Sequence, residues 1–170
     1  MIELFDKLEH LTIDDLKHKK SVLLDTCFFV YMLERDNQKR VLDMCKDFDV
    51  ALTSFNVAEF DHIKHKIDES VREKARRFLK KSPDISVVDI PVFPGNRKAE
   101  EAYVRTVDEK ILDDVDDPSD AVLIACAIQT DSHVLTRDKH HLFTAKLDNY
   151  IQKYNISVYN HIPELMKNEN

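Results

Sequence analysis

The chain has 170 residues, 43% of them hydrophobic and 34% charged, which suffices for one hydrophobic core without disulfides or a structural metal. Its formal net charge of −7, from 32 acidic and 25 basic residues, disfavours a polyanion binder with an evenly basic surface. A single Gly excludes a glycine-rich phosphate loop, and with it P-loop and dinucleotide-binding enzymes. Cys27, Cys45 and Cys126 are scattered, form no Cys-x-x-Cys pair, and suit reduced thiols rather than a disulfide framework.

Residues 1–20 are expected to be an N-terminal extension, a short helix and an extended lead-in. They carry no apolar stretch of signal-peptide length, so a cytoplasmic location is expected. Residues 22–24 read as the first strand. Val41, Leu42, Cys45 and Phe48 then recur at helical spacing, and two helices are expected before a second strand at 50–53. Val71, Ala75, Phe78 and Leu79 mark the later of two further helices, and residues 85–89 form a third strand. Ala99, Tyr103, Val107 and Ile111 begin the first of two helices after it. The wholly apolar run 121–128 predicts a helix buried on all sides, with Pro118 at its first position, where a missing amide costs nothing. That run is too short to cross a bilayer. Residues 133–136 and 156–159 complete five strands. Breaks fall at 36–38, 82–83, 91–96 and 116–119. With no repeat or linker, a single domain with a core at about 21–160 is expected. Strands alternating with helices predict an α/β fold around a parallel sheet.

Charge is unevenly spread. Residues 64–81 hold eight basic residues against Asp68, Glu69 and Glu73, whereas residues 100–120 hold nine acids against Arg105 and Lys110. Lys64, Lys66, Arg72, Lys74, Arg76, Arg77 and Arg137 are candidate phosphate contacts; a solvated helix face explains the run 64–81 equally well.

Four acids stand at or near the carboxyl ends of strands, where an open parallel sheet has its ligand crevice. Asp25 ends the first strand, Glu59 lies early in the helix after the second, Asp120 opens the apolar helix, and Asp138 follows the fourth strand. Each has an ordinary structural explanation as a helix cap or a solvated acid. Together they demand more, because two carboxylates about 4 Å apart repel by roughly 4 kcal/mol at an effective dielectric near 20. Converging acids take up protons or recruit a cation. Oxygen-only ligands favour Mg²⁺ or Mn²⁺ over zinc.

Asp25-Thr26 after an apolar strand, Ser54 five residues before Glu59, Asp120 leading Ala-Val-Leu-Ile-Ala, and Leu135-Thr136-x-Asp138 resemble the motifs of the PIN-domain nucleases in their usual order. The resemblance covers about residues 22–159. It implies a three-layer α/β/α sandwich with a central five-stranded parallel sheet, and one or two Mg²⁺ or Mn²⁺ ions held by Asp25, Glu59, Asp120 and Asp138. It also implies hydrolysis of RNA leaving a 5′-phosphate, with Thr26, Ser54, Asn56 and Thr136 orienting carboxylates or water. Many relatives are toxins paired with an antitoxin protein, others process RNA, and dimers occur among them. Asp117 is the alternative third ligand; Asp120 is preferred because the apolar helix begins directly after it.

His62 and His65 lie about one turn apart, and His140 and His141 follow Asp138, but no further zinc ligands accompany them. His140 or His141 can lie near phosphate. Cys27, Phe28, Phe29 and Tyr31 read as packing residues. Two other functions stay open: a PIN-like module that binds RNA or protein without cutting, and a phosphatase using Asp25 as nucleophile. The second is weakened by Cys27, where a haloacid-dehalogenase-type site needs Asp.

Overall fold

The computed structural model describes residues 4–17, 20–81, 84–138 and 142–169. Its sheet is wholly parallel, with strand order β1-β4-β3-β2-β5-β6. The strands are β1 (Glu9–Leu11), β2 (Ser21–Leu24), β3 (Asp49–Thr53), β4 (Ile85–Val88), β5 (Ser132–Leu135) and β6 (Val158–Tyr159). The helices are α1 (Ile13–Leu16), α2 (Thr26–Glu34), α3 (Gln38–Met44), α4 (Ser54–Ile63), α5 (Glu69–Lys81), α6 (Arg97–Val107), α7 (Ile111–Asp114), α8 (Pro118–Thr130), α9 (Ala145–Ile151) and α10 (Ile162–Glu169).

The sheet has six strands rather than five. The added strand, β1, lies in the expected extension and pairs with β4, His10 opposite Val87. Glu9 and His10 are exposed and Leu11 is half-buried, so this edge strand has no apolar alternation to announce it. Three helices, not two, separate β4 from β5, because short α7 stands between α6 and α8.

Side-chain alternation along each strand divides the interior in two. Val22, Leu24, Val50, Leu52, Ile85, Val87 and Leu135 face one layer, with core residues from α2, α3, α5 and α10. Leu23, Ala51, Val88 and Val134 face the other, where α8 packs with α6 and α9. Helix α8 is buried at every position from Ala121 to Ala127, which is why its sequence carries no polar face. Pro118 opens it and Asp117 caps it, accepting the Ser119 N–H at 2.9 Å. Among the described residues no helix is long and apolar enough to cross a membrane.

The order β3-β2-β5 fixes the position of the site. The chain winds outward from β2 through β3 to β4, then returns to place β5 on the opposite side of β2. In open parallel sheets the ligand crevice lies at the carboxyl ends of the strands where the winding reverses, which here is between β2 and β5.

Candidate active site

Asp25 directly follows β2, and its N–H donates to the Leu135 carbonyl at 2.9 Å, extending the β2–β5 ladder by one bond. It is the N-cap of α2: Oδ1 accepts the Thr26 N–H at 2.8 Å, while Oδ2 accepts the Thr136 hydroxyl at 2.7 Å. Capping and a place in the crevice therefore hold for the same side chain. Thr136 also accepts the Asp138 N–H at 3.0 Å, so one buried hydroxyl ties the end of β2 to the loop after β5.

Helix α4 follows β3 without a loop. Thr53 caps it by accepting the Asn56 N–H at 2.9 Å, and its hydroxyl donates to Asn56 Oδ1 at 2.8 Å. That pair orients the Asn56 amide, whose Nδ2 donates to Glu59 Oε1 at 2.9 Å and reaches Asp25 Oδ1 at 3.4 Å. The Thr26 hydroxyl donates to the same Glu59 oxygen at 3.1 Å. Asp120, the third residue of α8, shares a hydrogen bond with Asp138 and feels the charges of Asp117 and Asp25. Four acids from separate stretches thus meet in one electrostatically connected cleft.

Their protonation reflects the crowding. Burial raises the Asp25 carboxyl, against the lowering effect of its hydrogen bonds from Thr136, Cys27 and Thr26. Burial, then the charge of Asp25, pushes Glu59 up to about 7. Burial, then Asp138, pushes Asp120 up to about 8. Among the described residues no Lys, Arg or His forms an ion pair with Asp25, Glu59 or Asp120. No three His, Cys, Asp or Glu side chains among the described residues are arranged as a ready-made metal cage. The donor set is nevertheless all oxygen, and its crowded carboxyls hold protons that a hard divalent cation would displace.

Several sequence expectations resolve differently. Ser54 turns away from the acids; its hydroxyl accepts the Ile90 N–H at 3.0 Å and ties α4 to the segment after β4. Asp117 is exposed and spends its carboxylate on the cap of α8. Cys27 is not a packing residue. The buried face of α2 is Phe28, Phe29, Met32 and Leu33, which leaves Cys27 exposed at the cleft, its sulfur 3.3 Å from both Asp25 Oδ2 and Thr136 Oγ1. Burial of the thiol, then the Asp25 charge, pushes its pKa up to about 12. His62, in the last turn of α4, and His65, just after it, are exposed. His140 and His141 lie outside the described residues.

Most of the basic stretch is internally neutralised. Lys64 pairs with Asp61 at 2.8 Å, Lys74 with Asp36 at 2.9 Å and Arg76 with Glu73 at 3.0 Å. Arg72 pairs with Glu69, and Arg77 lies 3.6 Å from Glu73. Lys66 is exposed in the turn after α4.

One residue escaped the sequence reading. Glu100, on α6, is buried; it accepts the Ser119 hydroxyl at 2.6 Å and the Gly95 N–H at 3.1 Å, and its charge reaches Glu59. It stood as one of nine acids in the run 100–120. Its spacing from Tyr103, Val104 and Val107 was the available signal, since it sets a carboxylate on the buried stripe of an amphipathic helix.

The PIN domain sequence model matches residues 22–147. In structure the chain is similar to one in the crystal structure of VapBC2 from Rickettsia felis bound to a DNA fragment from their promoter. The TM-score is 0.53 at 13% identity, over 81% of this chain and 96% of that one. No curated protein matches the sequence. With the family's sequence pattern running from β2 into α9 and the same fold around it, this chain belongs to the PIN-domain family, whose members are generally nucleases.

Proposed function

We propose that this protein is a metal-dependent endoribonuclease that hydrolyses RNA phosphodiester bonds in the cleft of Asp25, Glu59, Asp120 and Asp138. The observation that carries this reading is the convergence of four acids at the sheet's switch point without a cationic side chain paired to Asp25, Glu59 or Asp120 among the described residues. These four carboxylates would hold one or two Mg²⁺ or Mn²⁺ ions, which supply phosphoryl polarisation, charge neutralisation and a lowered pKa of water.

The protein's own groups do the positioning. Thr136 and the Thr26 amide fix both oxygens of Asp25, and Asn56 with the Thr26 hydroxyl fixes Glu59, so neither carboxylate has to find its orientation when substrate arrives. Asp120 and Asp138 share a hydrogen bond, and the proton held there leaves when positive charge enters the cleft. Hydrolysis forms a bond from water oxygen to phosphorus and breaks the bond from phosphorus to the 3′ oxygen. The products are a 5′-phosphate and a 3′-hydroxyl.

An antitoxin-type protein partner and a homodimer are further parts of this proposal, supported by the family membership. The test is incubation with single-stranded RNA and Mn²⁺ or Mg²⁺, repeated with EDTA and with Asp25→Asn. Cutting that both controls abolish is expected. Cutting that survives Asp25→Asn rejects the assigned site. RNA binding without cutting supports a silent module, and phosphate release from a small ester supports a phosphatase.

A further inference from the structure

A net-negative protein with an acidic cleft needs cations beside that cleft if RNA is to approach it. Most of the basic stretch from 64 to 81 does not provide them, because its charges are spent on Asp61, Asp36, Glu69 and Glu73. Three arginines elsewhere have no carboxylate partner among the described residues: Arg35, Arg40 and Arg137. They cluster around Tyr31, on the helix that Asp25 caps.

Arg137 immediately precedes Asp138, and its N–H donates to Cys27 Sγ at 3.3 Å. Its guanidinium lies 4.1 Å over the Tyr31 ring, and Nη1 donates to the Asn160 carbonyl at 3.2 Å. The Arg35 guanidinium lies 5.9 Å from the same ring. Tyr31 and Arg40, with Asn160 and His161, line a small cleft of about 50 Å³ beside it. Cys27 and Tyr31 on α2 and Arg35 at its C-cap are spaced i, i+4, i+8, one stripe about 12 Å long starting beside Asp25. Tyr31 packs one side against the core beside Phe28, as expected, and its half-buried ring also lies between two arginines and holds their planar groups in place.

We propose that this ridge, Arg137, Tyr31 and Arg35 with Arg40 and His161 alongside, is the track for the phosphate backbone of single-stranded RNA leading into the cleft. The inference rests on the nuclease reading and specifies where its substrate lies. Guanidinium groups anchored on an aromatic ring and on a backbone carbonyl are preorganised, so less rotamer freedom is lost when their N–H edges meet phosphate. The ridge is one helical stripe wide, which suits a single strand rather than the two phosphate rows of a duplex.

The experiment separates binding from cutting. Binding of a labelled single-stranded RNA is followed by fluorescence anisotropy in EDTA, on an Asp25→Asn background, across a salt series. Arg35→Gln with Arg137→Gln is expected to weaken binding at least about tenfold and to flatten the logarithmic salt slope by about 1.4, or about 0.7 for each lost contact to a single strand. Arg76→Gln with Arg77→Gln is expected to stay within about twofold of the parent. Tyr31→Leu is expected to weaken binding severalfold and Tyr31→Phe to restore it, a pattern that loss of fold does not produce. Arg35→Gln alone, at an exposed site, guards against disruption of the Arg137 anchor. Unchanged binding in the ridge pair, an equal or larger loss in the α5 pair, equal affinity for duplex RNA, or no RNA binding by the parent each overturns the proposal. If the wild type cuts and the ridge pair binds normally, the track is wrong and the nuclease reading stands. If RNA binds through the ridge but no variant cuts, the reverse holds.

Discussion

Replacing Asp120 by Asn is expected to make the protein more stable at alkaline pH while removing its proposed activity. In the folded chain burial and Asp138 raise the Asp120 carboxyl from 3.8 to about 8. The folded state therefore holds a proton that the unfolded chain releases first as pH rises. Wild-type stability falls between about pH 4 and pH 8, because the unfolded state binds fewer protons throughout that window. At about 1.4 kcal/mol per tenfold change in proton affinity, the full effect is roughly 5–6 kcal/mol. Solvent reaching the half-exposed carboxyl screens it, leaving about 2–4 kcal/mol. Asparagine has no such titration. The two proteins should match in urea denaturation near pH 4 in EDTA, and the variant should gain progressively, reaching its full advantage above pH 8. Equal stability at pH 8.5, or an advantage independent of pH, would refute the argument that a crowded, buried carboxylate strains this fold.

Thr136→Val removes the hydroxyl that donates to Asp25 and accepts from the Asp138 amide; single-turnover RNA cleavage is expected to fall about 10- to 100-fold. Unchanged cleavage with altered stability would mean that Thr136 serves only the fold. Glu100→Ala leaves the Ser119 hydroxyl and the Gly95 amide without their acceptor and opens a void, at a cost of about 2–4 kcal/mol in urea denaturation. A loss below about 0.5 kcal/mol, the size of an ordinary surface substitution, would contradict that role. Cys27, although exposed, should react with iodoacetamide at pH 7.5 at least about tenfold more slowly than free cysteine. Asp25→Asn should speed that reaction, and a fast wild-type thiol would show that Asp25 does not control it.

Much of this molecule is written locally. Runs such as Val22-Leu23-Leu24 and Val50-Ala51-Leu52 are apolar on both faces because helices cover both sides of the sheet, so they announce buried parallel strands. The apolar α8 with Pro118 in front, and acids following strands, are equally visible in one dimension. Residues Glu9-His10-Leu11 were not, since an edge strand paired on one side needs no apolar pattern. Glu100 and the arginine ridge were hidden for a related reason. A side chain's charge is fixed by its chemistry, but whether that charge is neutralised depends on what the fold sets beside it. Arg76 and Arg137 look alike in sequence; one turns toward Glu73 on its own helix and the other onto Tyr31, more than a hundred residues away. Sequence alone determined five of the six strands, the buried helix and the placing of four acids after or near strand ends, because these follow from periodicity and local propensity. Tertiary structure decided which hydroxyls orient the acids, which cations stay unpaired and where Cys27 points, because those depend on distances between chain segments that only packing brings together.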